Sequence, residues 1–452
     1  MALLFIVAYA PTYGELLAAS FAGSRNAILV ILPFVILLCA AGYREPPSGV
    51  ADGESDWIVA AMVAALGVGL IVVTERRYPT STGLWRVDLL GAVLWVICVA
   101  LILFGIRHTV RMWPVWAIAS ICATPLPYLV ATATLGGSDD LCAVVATVVG
   151  AVAVFFATNR WQVSLRILTT VLCLVAGFGS AVLLSGAVTL GGIVLVTGAA
   201  VPVLIVTVTV VLTGRAGRRG AVGASGHFPR VTARMLVALT ALACLVLVFN
   251  PSIAAAPTPQ AVRSDWLQRA GTVDAGEFPF VTRFLGPDSS FRRYLLPAYV
   301  DAPSAAVDVL ASKNSAALRD YIDVVWYPVR RPVSYRAVDS GANPQLPQGI
   351  REAHTNTDSA TTSDDTDWYA LTWVWRTAAE YEQITVIVNQ TSMTSNPPPS
   401  PQPLSFGATM LDPALKAMGQ QSDSVGEVPA SVRRRAYAVV DILMAASDYP
   451  RG

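Results

Sequence analysis

Three kinds of residue in this chain have the chemistry to act: a thiol beside charged groups, a carboxylate inside an apolar run, and a set of neighbouring tryptophans. Cys142 follows Asp139 and Asp140 at the start of one apolar run. A thiolate there is a nucleophile for acyl transfer if a base or cation lowers its pKa. The two aspartates oppose the thiolate, so a packed, inert cysteine is the plain alternative. Glu15 lies in the middle of the first apolar run. A carboxylate at bilayer depth is costly and normally faces a cavity, a partner or a proton path; alternatively the segment is tilted or interfacial and Glu15 reaches water. Trp368, Trp373 and Trp375 sit together late in the chain and read as an exposed patch for binding a partner.

Other reactive types do not assemble. His108 and His227 fall in loops between apolar runs and His354 in a polar distal stretch, so they build no common site. Asp364, Asp365 and Asp367 lack the glycine and distal glutamate of a calcium loop and read as a solvated acidic loop. Asn389-Gln390-Thr391 is a glycosylation sequon by pattern only. The chain has 6 cysteines, Cys39, Cys98, Cys122, Cys142, Cys173 and Cys244, none with CxxC spacing, so neither a disulfide framework nor a zinc site is implied. No cofactor and no metal are expected.

The elements that must position these residues follow from composition. The chain is 54% hydrophobic and only 13% charged, against about 25% charged for an ordinary soluble domain. Both lysines, Lys313 and Lys416, lie beyond residue 250, as do most carboxylates, so the two parts of the chain meet different solvents. A net charge of +1, with the basic residues at the edges of apolar runs, gives no nucleic-acid-binding face. The apolar runs are 2–20, 27–42, 57–74, 88–106, 114–134, 141–157, 164–185, 187–213 and 235–250, which predicts about nine transmembrane helices in residues 1–250. The first run has no basic n-region and continues into further spans, so a cleaved signal peptide is not expected.

Residues 214–234 carry Arg215, Arg218, Arg219, Arg230 and Arg234 and no acid, the pattern of a loop kept on the cytoplasmic side. Residues 158–166 and 106–113, with two arginines each, then fall on the same side, and the N-terminus is cytoplasmic. The loop 74–87 disagrees, because it carries Arg76, Arg77 and Arg86 yet must face outward. Pro125 and Pro127 are expected to kink the fifth span and Pro202 to interrupt the eighth, whereas Gly191, Gly192 and Gly198 permit close helix contact. The Ala254-Ala255-Ala256 sequence looks like a peptidase site, but Pro257 hinders cleavage, so residues 251–263 read as a tether.

Residues 264–452 are predicted to form an extracytoplasmic mixed α+β domain. Tyr369, Leu371, Trp373 and Trp375 alternate with smaller residues, and 384–388 is β-branched, so these two strands pair through a turn at 377–383. Helical spacing is read over 304–310 and 315–325, and Asp412-Pro413 with Gly419 brackets a short helix. In the last helix Ser431 is the cap, and Val432, Ala436, Val439, Val440 and Leu443 form one apolar face. The polar stretch 339–367 and the proline-rich 396–403 read as unpacked loops or linkers.

Leu103-Phe104-Gly105-Ile106-Arg107, Trp113-Pro114, Thr124-Pro125-Leu126-Pro127 and Leu165-Arg166-Ile167 together are similar to the layout of exosortases and archaeosortases. The resemblance covers about a quarter of the chain. It implies a membrane cysteine transpeptidase that processes C-terminal sorting signals. The family's nucleophile sits in a Cys-Ser-Gly context, whereas Cys142 precedes Ala143-Val144 and Cys173 precedes Leu174-Val175. The family's Leu-Arg-Ile also follows an asparagine, where this chain has Ser164. A related scaffold without the activity is the inference.

The expected function is therefore a multi-pass protein of the cell membrane, embedded in the lipid bilayer, that presents its outer domain to another envelope protein or membrane complex. The alternatives are an exosortase-like transpeptidase using Cys142 and Arg166, and a transporter using Glu15.

Overall fold

Apolar runs in hydrocarbon fold as helices because every backbone polar group must be satisfied within the segment. The computed structural model describes residues 2–43, 53–77, 84–217, 259–296, 303–329, 333, 335–338, 346–355, 367–390, 397–405, 407 and 428–448. The chain divides into two compact units, Met1–Glu75 with Trp85–Ile253, and Arg76–Leu84 with Ala254–Gly452.

The first unit is helical. It contains α1 (Ala2–Phe21), a 3-10 turn (Arg25–Ile31), α2 (Leu32–Ala41), α3 (Gly53–Arg77), α4 (Val87–Arg111), α5 (Trp113–Ala123), α6 (Leu126–Thr134), α7 (Asp139–Ala157), α8 (Val163–Leu184), α9 (Leu190–Leu195), a π-turn (Val196–Ala200) and α10 (Val201–Gly217). Among the described residues five helices are long and apolar enough to span a membrane, or six if α5 and α6 are one bent span, in place of the nine expected. Part of the difference is physical. The second run is a 3-10 turn followed by a ten-residue helix, and Arg25–Ala41 falls short of a span. The first run, α1, stands outside the set of five, and 235–250 lies outside the described residues.

The prolines act as expected. α5 and α6 meet at a 66° bend around Thr124-Pro125. The π-turn ends just before Pro202, widening the helix where proline has no N–H to donate and its ring crowds the preceding turn. Two of the small residues permit close packing. A Cβ at Gly191 would lie 2.5 Å from the Ser20 carbonyl oxygen, and one at Gly198 would lie 2.7 Å from Ile31 Cδ1. Outward-facing aliphatics such as Val182 (74% exposed) and Leu183 (82%) leave a surface that lipid covers at little cost.

The second unit is built on one eight-stranded sheet. The strands are β1 (Gln260–Ala261), β2 (Val273–Glu277), β3 (Ser289–Leu295), β4 (Ala305–Ser312), β5 (Arg336–Ala337), β6 (Arg351–His354), β7 (Trp368–Arg376) and β8 (Tyr381–Asn389). Their order is β2-β3-β4-β8-β7-β6-β5, antiparallel throughout, with β1 added parallel to the end of β7. The expected hairpin is present: β7 and β8 pair from Trp368–Asn389 to Arg376–Tyr381. Its odd-numbered β7 residues Tyr369, Leu371, Trp373 and Trp375 face one core with Val307, Val309 and the final helix. Trp368 and Ala370 face the other core with Tyr327 and Ile387.

The short helices include α11 (Trp266–Arg269) and α12 (Ser315–Asp320), besides one turn at Thr282–Leu285, and the last is α13 (Ala430–Ala446). Val432, Ala436, Val439, Val440 and Leu443 of α13 are all fully buried against the sheet, as the 3.6-residue period requires.

Several expectations are corrected here. Residues 304–310 are a central strand, not a helix; β4 is buried on both faces, so its apolar run shows no alternation to betray it. α12 stops at Asp320. Pro429, not Ser431, occupies the cap position of α13. Within 339–367, Ile350 and Ala353 are buried and Arg351–His354 is β6. Gln260 and Ala261, assigned to the tether, belong to the sheet. The helix expected at 412–419 lies outside the described residues.

Candidate functional sites

One end of the helical unit holds Cys142. Ser138 caps α7 by accepting from Leu141 N at 3.2 Å, and Asp139 and Asp140 in the first turn suit the positive end of the helix dipole. The chain turns sharply after α1 at Gly23 (φ 92), and Ser24 Oγ accepts from Asn26 N at 3.1 Å, which brings Arg25 inward. Arg25 Nη1 then lies 2.7 Å from Asp139 Oδ1 and donates to Cys142 Sγ at 3.4 Å. Sequence reasoning missed this cation, because Arg25 and Cys142 come from distant segments. The thiol is nonetheless 1% exposed, and Asp139 balances the guanidinium that would hold charge on sulfur.

Arg166 is not part of this cluster. Its Nε donates to Phe155 O at 2.8 Å and its guanidinium lies 3.4 Å over the Phe155 ring. Cys142 opens α7 and Phe155 closes it, about 20 Å apart at roughly 1.5 Å per residue. The pair that the exosortase resemblance would need does not meet: Cys142 and Arg166 sit at opposite ends of one helix. Glu15 lies on the exposed face of α1, two residues from Tyr13, whose OH donates to Val30 O at 2.5 Å.

A second buried charge escaped the sequence reading. α4 breaks at Gly105 (φ 78, ψ 166), and Asp56 Oδ1 accepts the freed Ile106 N–H at 2.9 Å. Thr109 Oγ1 bonds to Gly105 O at 3.0 Å, and Trp116 Nε1 donates to Thr109 O at 2.9 Å. The break is thus closed by side chains, which makes Asp56 a structural cap.

At the other end of the unit, the ends of α2 and α4 and the turn after α7 enclose an open cavity of about 490 Å³. Tyr43, His108, Arg111, Asn159 and Arg160 line it, and none of its described lining residues is acidic. Gly42 sets the closeness of the walls: a Cβ there would lie 2.1 Å from Phe156 O.

In the sheet domain the tryptophans are interior. Trp368, Trp373 and Trp375 are 0%, 1% and 1% exposed, so the expected surface patch does not exist. Trp375 packs edge-on against Trp266 at 5.1 Å and Trp373 at 5.4 Å, while Trp368 Nε1 donates to Pro328 O at 3.1 Å. Indole rings on a strand of a sheet covered on both faces have no outward side to occupy.

The buried charges of this domain are hydrogen-bonded, whereas the indole N–H groups of Trp326, Trp373 and Trp375 have no partner among the described residues. Arg293 makes two 2.7 Å bonds to Asp308, and Tyr327 OH donates to Asp308 Oδ2 at 2.7 Å. Arg293 also donates to Pro398 O and Pro399 O at 2.8 Å, so the proline-rich segment is docked rather than a free linker. Trp266 Nε1 donates to Glu382 Oε2 at 2.8 Å, and burial pushes the Glu382 carboxyl up from 4.5 to about 7. His354, at the end of β6, is held below its ordinary value by burial. Among the described residues no group of three or more His, Cys, Asp or Glu is arranged to hold a metal ion. No protein-family profile matches the chain, and the searches of curated proteins and of solved structures also return no match.

Proposed function

We propose that this protein is a non-enzymatic, multi-pass component of the cell envelope whose helical unit anchors an extracytoplasmic sheet domain that binds another envelope protein or complex. The observation that carries the reading is the excess of arginine at one end of the helical unit; Arg25 and Arg86, toward the other end, are each paired with an aspartate. Arg111 and Arg160 share one cavity. α10 runs in the same direction as α7, with Pro202 beside Gly150 and Ile205 in a cluster with Val154, so Gly217 lies toward that same end. The sequence that follows continues with Arg218 and Arg219. Arginine gathered at one end supports a cytoplasmic end, after which the apolar run 235–250 carries the distal domain across.

The test is labelling of single introduced cysteines with a membrane-impermeant maleimide. Val273→Cys, at an exposed position of β2, should label in intact cells, and Arg160→Cys only after permeabilisation. The reverse pattern would invert the topology and remove the outer-domain reading.

A second reading keeps one observation in its favour. The Arg25 guanidinium on Cys142 Sγ, at a helix N-terminus, is the surrounding a nucleophilic thiolate needs, as an exosortase-like transpeptidase would require. It needs Asp139 to release Arg25 and the thiol to open to substrate. Reaction of Cys142 with a small alkylating agent in the folded protein, abolished by Arg25→Gln, would favour it.

A further inference from the structure

The cavity at the basic end of the helical unit has the composition of an anion site, and we propose that it binds the phosphate headgroup of an anionic phospholipid. The proposal rests on the membrane character of the helices and not on which side the sheet domain occupies. Three separate segments contribute to it. The end of α4 supplies His108 and Arg111, the turn after α7 supplies Asn159 and Arg160, and the end of α2 supplies Tyr43.

The chemistry converges on a phosphate. Two guanidiniums offer forked N–H donors that match phosphate oxygens, and the phenol and carboxamide add neutral donors. A volume of about 490 Å³ lies within the range of small-molecule sites, roughly 300–1,000 Å³. Cations near helix C-termini are also expected from the helix dipole alone, which would place arginines here without any ligand. That effect is local to each helix, and does not account for donors from three segments facing one concavity.

The rim distinguishes lipid from a free anion. Val110, Trp113 and Val163 flank the cationic residues in sequence and are 62%, 67% and 68% exposed. Exposed aliphatic side chains beside a basic cavity suit acyl chains running down from a headgroup, and an outward tryptophan marks the level of the membrane interface. Basic pockets between membrane helices are suited to phosphate-bearing headgroups for the same reason.

The test uses the full-length chain purified in a neutral detergent, with phosphatidylglycerol or phosphatidylcholine added to the micelles and bound lipid counted by native mass spectrometry. Phosphatidylglycerol should be retained in preference. Arg111→Gln with Arg160→Gln should weaken retention by about 30-fold, taking about 1 kcal/mol or fivefold per arginine near the headgroup. The corresponding pair of lysine substitutions should keep most of it, which separates lost charge from lost folding. Arg107→Gln changes an exposed arginine of α4 that does not line the cavity, and should leave retention within about twofold. Equal retention of the two lipids, or an equal loss from Arg107→Gln, would overturn the site. Displacement of the lipid by millimolar inorganic phosphate would overturn the lipid assignment in favour of a soluble phosphate.

Discussion

The helical unit and the sheet domain both bury charged side chains, and they do it in different places. In the helical unit Arg25 and Asp56 are 5% and 7% exposed, and each serves a helix end or a helix break. In the sheet domain Arg293 and Asp308 are a cross-strand pair in the interior of β3 and β4, with Asp308 fully buried. The surfaces are reversed too: the helices expose leucine and valine, whereas the tryptophans of the sheet are inside. In hydrocarbon the backbone must satisfy itself, so charge is tolerated where helices end or open. Inside a sheet domain, an ion pair survives burial only when its remaining lone pairs and protons find partners.

The largest expected effect tests that last statement. Asp308→Ala leaves the Arg293 guanidinium buried with its carboxylate gone, and should destabilise the folded sheet domain by about 3–5 kcal/mol. Thermal unfolding of the full chain in detergent, followed by near-ultraviolet circular dichroism, reads it. Adding Arg293→Met should recover a large part of the loss. If the double variant is no better than the single one, the pair is not the source of the penalty.

Glu382 sharpens the same contrast through pH. Its carboxyl is held near 7 in the folded chain against 4.5 when exposed, so between those values the folded form binds a proton that the unfolded form releases. This contribution to stability is complete below about pH 4.5 and declines as the pH rises toward 7, worth roughly 3 kcal/mol. Glu382→Gln stays neutral and should flatten the dependence in that window. An unchanged slope in the variant would assign it to another group.

In the helical unit close backbone approach takes the place of polar pairing. Gly191→Ala would set a methyl 2.5 Å from the Ser20 carbonyl oxygen, and should cost about 1–3 kcal/mol as a shift between α1 and α9. A melting temperature equal to the parent's would show that this contact relaxes freely. The smallest effect is expected at Cys142. Cys142→Ala removes a thiol that only packs and accepts a bond from Arg25, so assembly and function should remain intact. Loss of a cellular phenotype at normal protein level would restore the transpeptidase reading, with Arg25 rather than Arg166 as its cation.

The sequence by itself determined the features that depend on neighbours along the chain. The apolar length of α4, α7 and α8, the alternation along β7, the buried stripe of α13 and the proline breaks are all set by local spacing, and each is present in the structure. Only the tertiary structure decided the fate of residues whose partners are remote. Arg25 reaches Cys142 from a segment 117 positions away, and Arg293 finds Pro398 at 105. β4 is a strand because β3 and β8 flank it on either side, and its apolar run carries no period of its own. The tryptophans of β7 are interior because α13, Trp266 of α11 and the coil around Tyr327 cover both faces of the sheet. Periodicity shows which face of an element is apolar; what covers that face, and which charges meet beneath it, depends on contacts between segments that the order of residues does not place together.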